Sequence, residues 1–256
     1  MSKILRNLKL VIAYDGTDFL GWQRQSRGAT VQGTLERALE KITGTSVEVH
    51  GSGRTDAGVH AAGQVANFKT SCPIPTVGLL KALNTLLPQT VRIRAVTEAT
   101  ASFHARHNAR AKTYRYRILQ APVALPFINR FVYHYPFPLD RRYMAVAAKL
   151  FEGEHDFTSF AGSEGHAVAG EKDSDNVRRI FSSKILWRPK LELIVYEVRG
   201  SGFLHHMVRN LAGTLIEVGR GKFEPRDMLR ILEAHSRSEA GPTAPASGLC
   251  LVRVEY

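Results

Sequence analysis

Cysteine is scarce in this chain. Only Cys72 and Cys250 occur in 256 residues, too few for a disulfide framework or a thiolate metal cluster. The ten histidines never take an H-E-x-x-H spacing, and no C-x-x-C is present, so no metal site is expected. A dinucleotide-type glycine fingerprint is also missing, which removes the usual grounds for a nucleotide cofactor. No apolar run approaches the roughly 20 residues that span a bilayer. Charge and Asn7 interrupt the first residues, Met1 to Asn7, so they carry no signal-peptide pattern. A cytoplasmic protein without membrane partner is the expectation.

Acid is the other shortage. Asp and Glu number 23 against 35 Lys and Arg, a formal charge of +12. Between Glu98 and Asp140 there is no acid at all, while Arg106, Arg110, Lys112, Arg115, Arg117 and Arg130 are present. Phe103, Tyr114, Tyr116 and Tyr133 are interleaved with them. Cations for phosphates and flat rings for unpaired bases are what RNA requires. Nucleic acid is therefore the expected partner.

The hydrophobic pattern separates into elements. Leu8 to Tyr14 alternates as a strand, and Val31, Leu35, Ala38, Leu39 and Ile42 fall at helical spacing behind Thr30 as N-cap. Short strands follow at Val47–His50 and Val65–Lys69, then a helix through Val77, Leu80, Leu83 and Leu87, then a strand from Val91. The order β-α-β-β-α-β is that of a ferredoxin-like split unit. The second part repeats the outline. Tyr114–Ile118 reads as a strand with a basic face and Asp140–Phe151 as a helix. Ile180–Trp187 and Leu191–Arg199 read as strands. Phe203, Met207, Leu211, Leu215 and Val218 mark a long helix ending near Gly219, Pro225 opens another, and Leu249–Tyr256 closes as a strand. The fold class is α+β, two ferredoxin-like halves, 1–105 and 106–256, with a joined antiparallel sheet. The polar stretch 162–176 reads as a mobile loop without a motif.

One loop concentrates the chemistry. "HGSGRTDAGVHAAGQ", His50 to Gln64, holds a single acid, Asp56, among small residues and two positions after Arg54. A carboxylate there serves as nucleophile, general base, metal ligand or turn cap. One carboxylate alone disfavours a two-carboxylate glycosidase, and the lack of an Asp/Glu/His cluster disfavours a metal hydrolase.

"GRTDAGVHA" at Gly53–Ala61 resembles the signature loop of the tRNA pseudouridine synthase A family. The likeness continues in family order. It runs through "YDGTDFLGWQRQ" (Tyr14–Gln25), "FHAR" (Phe103–Arg106), "KTYRYRI" (Lys112–Ile118) and "DFTSFAG" (Asp156–Gly162). It ends with "GSGFLHHMVRNLAGTLIEVGRG" (Gly200–Gly221) and "GPTAPASGLCLVRVEY" (Gly241–Tyr256). The resemblance implies the pseudouridine synthase fold with a central catalytic cleft between the halves. It implies isomerisation of uridine to pseudouridine at positions 38, 39 and 40 of the tRNA anticodon stem-loop, without cofactor, by a homodimer.

By the same resemblance Asp56 is the catalytic aspartate, acting on C6 of the base, on C1′, or on a ribose proton. Arg209 is its ion-pair partner, which would keep it ionised. Tyr114 stacks on the detached uracil, and Arg54 fills the gap left by the flipped nucleotide or holds its phosphate. Arg106 is a further RNA contact. Leu249 and Leu251 pack on the base or belong to the core. The alternative is a non-catalytic RNA-binding protein of the same fold. A nucleotide-processing hydrolase with an Asp nucleophile is a third reading, and it predicts metal dependence.

Overall fold

The computed structural model describes residues 5–162 and 176–256. The chain divides into two compact units, Met1–Arg110 with Leu251–Tyr256, and Ala111–Cys250. The stretch read as a mobile loop lies, apart from its end residues Gly162 and Asn176, outside the described residues.

The first unit runs β1 (Arg6–Tyr14), α1 (Val31–Thr43), β2 (His50–Gly51), β3 (His60–Thr70), α2 (Thr76–Leu86) and β4 (Val91–Ala99). The order is the one the hydrophobic pattern predicts. β1 pairs antiparallel with β3 and with β4, and β2 pairs antiparallel with β3. Leu8, Leu10 and Ile12 of β1 alternate into the core and are fully buried. Leu35 and Leu39 of α1, Phe68 of β3 and Leu83 of α2 are fully buried as well. Thr30 caps α1 by accepting from the Gly33 N–H, and Gly44 closes it in the left-handed region at φ 72°. The strand expected at Val47–His50 is shorter and later, only His50–Gly51. A buried carboxylate explains what Val49 does instead. Glu36 accepts from the Val49 N–H at 3.2 Å and from Gln32 and Arg24, so the approach to β2 is fastened to α1 rather than to a strand.

The second unit opens with β5 (Ala111–Leu119), a one-turn α3 (Pro126–Asn129) and β6 (Tyr133–His134). It continues with α4 (Arg141–Lys149), β7 (Gly153–Asp156), β8 (Val177–Arg188) and β9 (Leu193–Gly200). α5 (Met207–Gly219), α6 (Asp227–Glu233) and β10 (Leu249–Glu255) follow, and the chain re-enters the first unit at Leu251. The strand order β5-β9-β8-β7 is antiparallel, with the two-residue β6 parallel to the other side of β5. Asp140 caps α4 by accepting from the N–H groups of Arg142 and Tyr143. α5 is buried at every residue except Arg209, which is half-buried, and Asn210, Thr214 and Glu217 are polar residues within its buried length.

Candidate active site

Asp56 lies on an irregular loop between β2 and β3, half-buried, with Arg54 and Ala57 exposed on either side and Thr55 buried. The loop is built by the segment that follows β1. The Trp22 N–H donates to the Thr55 carbonyl at 3.0 Å, and the Gly58 N–H donates to the Phe19 carbonyl at 3.3 Å. The buried hydroxyls of Tyr14 and Thr55 are 2.8 Å apart. Gly21 sits at φ 86°, and a Cβ there would meet the Thr55 carbonyl oxygen at 2.5 Å. Only glycine satisfies both the backbone conformation and the approach. Gly51 likewise accommodates the Trp22 ring, which a Cβ would meet at 2.5 Å.

The two ends of the loop are fixed by side chains. At its start, the Ser52 hydroxyl donates to Gln64 Oε1 at 2.6 Å and Gln64 Nε2 donates to the Gly53 carbonyl at 2.9 Å. At its end, the Gly16 N–H donates to Nδ1 of the buried His60 at 3.0 Å. The Asp15 carboxylate, 3.2 Å from that nitrogen, accepts the N–H and hydroxyl of Thr17. Arg54 donates from Nε to Gln23 Oε1 at 3.2 Å and stays exposed. Asp56 is thus carried on a backbone with few conformations left to it. That is the condition for a reactive group that must meet substrate in one geometry. Tyr14, Gly16, Gly21, Trp22 and His60 all lie in the quoted motifs, yet spacing alone gave no support role to any of them. Those roles are contacts between segments some 40 residues apart in sequence.

In the second unit Tyr114 is buried on β5, opposite Val198 of β9, with its ring edge-on to Phe203 at 5.1 Å between centroids. Arg209 is tied to one residue twice. Its Nε donates to the Ala244 carbonyl at 2.8 Å, and its own carbonyl accepts from the Ala244 N–H at 3.1 Å. Asn210 beside it is buried, donating to the Phe160 carbonyl and accepting from Thr243 and Arg237. The three C-terminal motifs therefore interlock: Asp156–Gly162 and Gly241–Gly248 both pack on the first turns of α5. Gly213 and Gly241 allow this contact, since a Cβ on Gly213 would overlap the Pro242 carbonyl at 1.7 Å.

α5 starts from a strained residue. His206 precedes it at φ 58°, in the left-handed region, with its ring stacked on His205 at 3.8 Å. For a non-glycine residue this costs on the order of 1 kcal/mol and is kept only where surroundings enforce it. Gly162 packs against His206, donating its N–H to the His205 carbonyl at 2.9 Å, and a Cβ there would meet His205 Nδ1 at 2.9 Å and His206 Nδ1 at 3.0 Å. Leu249 and Leu251 are both buried, as core residues are. Arg106 is exposed in the turn after β4, with its N–H directed to His104 Nδ1 at 3.2 Å. Of the sequence-nominated residues, Asp56, Arg54 and Arg106 belong to the first unit, and Tyr114, Arg209 and Leu249 to the second.

The fold and the supported lone carboxylate define an α+β enzyme-like protein with a basic surface. A family model described as tRNA pseudouridine synthase matches residues 10–108 and 147–256. The chain is 50% identical over 252 residues to the tRNA pseudouridine synthase A of Solibacter usitatus, covering 98% of this chain and 100% of that protein. The protein of the same name from Brevibacillus brevis is 46% identical over 256 residues, with 98% and 100% covered. That from Caldicellulosiruptor saccharolyticus is 43% identical with the same coverage. The chain belongs to the tRNA pseudouridine synthase family and has its α+β fold.

Proposed function

We propose that the protein isomerises uridine to pseudouridine in the anticodon stem-loop of tRNA, at positions 38, 39 and 40, with Asp56 as the group that attacks or deprotonates a flipped nucleotide. The observation that carries this reading is the Asp56 loop. It presents one carboxylate among residues too small to obstruct a base, on a backbone fixed from both ends.

The reaction needs no redox partner. The N1–C1′ bond breaks and a C5–C1′ bond forms, C5 gives up its proton and N1 gains one. Tyr114 would hold the detached ring so that it recombines instead of diffusing away. Arg209 would keep Asp56 charged, and its guanidinium is directed by the Ala244 carbonyl. Arg54, exposed and hydrogen-bonded to Gln23, would stand in for the flipped nucleotide or hold its phosphate. Arg106 would add a phosphate contact, and Leu249 an apolar surface. The same reading makes the protein a cytoplasmic homodimer, which sedimentation of the purified chain tests.

The experiment is to incubate purified protein with unmodified tRNA transcripts and map carbodiimide-reactive sites by primer extension. New stops at positions 38–40 are expected. Stops elsewhere only would correct the site, and binding without any stop would favour a non-catalytic RNA-binding protein.

A further inference from the structure

Beside the start of the Asp56 loop, where Tyr256 hydrogen-bonds Ser52, the first unit contains a cavity of about 420 Å³. Ser102, Phe103, His107, Asn108, Arg110 and Tyr256 are among the residues that line it. The lining carries aromatic rings, amide and hydroxyl groups and a guanidinium, and no acid. Phe103 and Tyr256 stand 5.0 Å apart between ring centroids at 57°. The Lys9 ammonium lies 5.7 Å from each ring. Arg106 and Arg110 are exposed nearby in the turn that follows β4.

The cavity is pre-formed. The buried Asn7 donates from Nδ2 to the carbonyls of Thr100 and Phe103, both at 2.8 Å. Asn67, also buried, donates to Asn7 and accepts from the Ala105 N–H at 2.8 Å. The Tyr256 hydroxyl donates to the Ala105 carbonyl at 2.8 Å, and the Arg110 N–H donates to the Glu255 carbonyl at 2.8 Å. Two buried asparagines spent on one turn fix the rings and the arginine in place before any ligand arrives.

We infer that this cavity is an ancillary subsite for a single unpaired nucleotide of the substrate RNA, its base against the Phe103 and Tyr256 rings and its phosphate on Arg110. The inference rests on RNA being the substrate, as proposed above. Its size is at the low end of the roughly 300–1,000 Å³ of ligand pockets, which suits one nucleotide and excludes a duplex. Stacking is indifferent to sequence, so the subsite contributes grip rather than choice of base.

The test reads binding and cross-linking, not turnover. The wild type and the variants Arg110→Gln, Tyr256→Ala and Tyr256→Phe are titrated with tRNA, alongside Lys81→Gln as a charge control on the exposed face of α2. Irradiation with 5-bromouridine-substituted tRNA is followed by peptide mapping. Arg110→Gln and Tyr256→Ala are expected to weaken tRNA about tenfold. Tyr256→Phe, which keeps the ring but loses the bond to Ala105, is expected to weaken tRNA less than Tyr256→Ala does, and Lys81→Gln to change affinity less than twofold. Cross-links are expected at Phe103 or Tyr256. Affinity for Arg110→Gln equal to that of Lys81→Gln, with no cross-link at either ring, overturns the subsite. Labelling of Tyr256 by free 5-bromo-UMP as strong as by tRNA overturns the RNA source. A wild type that binds tRNA but makes no pseudouridine overturns the isomerase reading and leaves these binding results standing.

Discussion

Gly21 lacks a side chain because the Thr55 carbonyl leaves no room for one. Gly21→Ala adds a methyl group at φ 86° and 2.5 Å from that oxygen. The expected cost is about 2–3 kcal/mol of stability, read by denaturant titration, because strain and a backbone shift combine. Activity is expected to fall further than stability does, since the displaced peptide adjoins Asp56. Tyr116 gives a milder case. It is buried, and its hydroxyl donates to the Pro245 carbonyl at 2.8 Å. Burial pushes this phenol far above its ordinary range, with Tyr133 adding to the effect, so it stays neutral and a donor. Tyr116→Phe is expected to cost about 1 kcal/mol by thermal melting, the net worth of one hydrogen bond plus an orphaned carbonyl.

At the scale of elements, the C-terminal unit contains an acid-sensitive joint. Burial alone would raise the Asp156 carboxyl. The hydroxyl and N–H of Thr158 and the nearby His235, 3.2 Å from Oδ2, outweigh it and hold the carboxyl below its usual 3.8. The unfolded chain therefore takes up this proton first as pH falls. The stabilisation is present in full above the ordinary Asp value and is lost as pH drops through the folded value. Asp156→Asn is expected to lower stability at pH 7 and to flatten the decline of melting temperature below about pH 4.

Elements were also where the sequence was most legible. Helix α1 with its Thr30 cap, the end of α5 at Gly219 and the alternating β1 and β5 are local patterns, and they appear where periodicity places them, whereas Phe203, read into the same helix as Met207, precedes its start at Met207. The Val47–His50 strand failed because the buried Glu36, remote in sequence, claims the Val49 N–H. α3, β6 and β7 are too short to leave a periodic trace.

For the whole molecule, the charge of +12 is the property that reaches furthest. Affinity for tRNA is expected to fall linearly on a log–log plot against salt, by about 10³-fold between 50 and 200 mM if six or more phosphates are neutralised. A flat salt dependence would remove the electrostatic role given to the acid-free stretch. No helix among the described residues is long and apolar enough to cross a membrane. An acid in a glycine-rich loop is most often a turn residue; Asp56 was legible as a candidate because Gly53, Ala57 and Gly58 leave room beside it and Arg54 is close, and the family motifs gave it a reaction. The scaffold that makes it usable was not legible. The pairings of Tyr14 with Thr55 and of His60 with Gly16 follow only from the folded register.

The most direct measurement is release of the C5 hydrogen. Transcribed tRNA carrying tritium at uridine C5 is incubated with the wild type and with Asp56→Asn, each shown by circular dichroism to be folded and by filter binding to retain tRNA. The wild type is expected to release tritium to water in proportion to pseudouridine formed, and Asp56→Asn to be slower by about 10²–10⁴-fold or more. Equal release by the two proteins would remove Asp56 from the chemistry, and no release by the folded, RNA-binding wild type would contradict the isomerase itself.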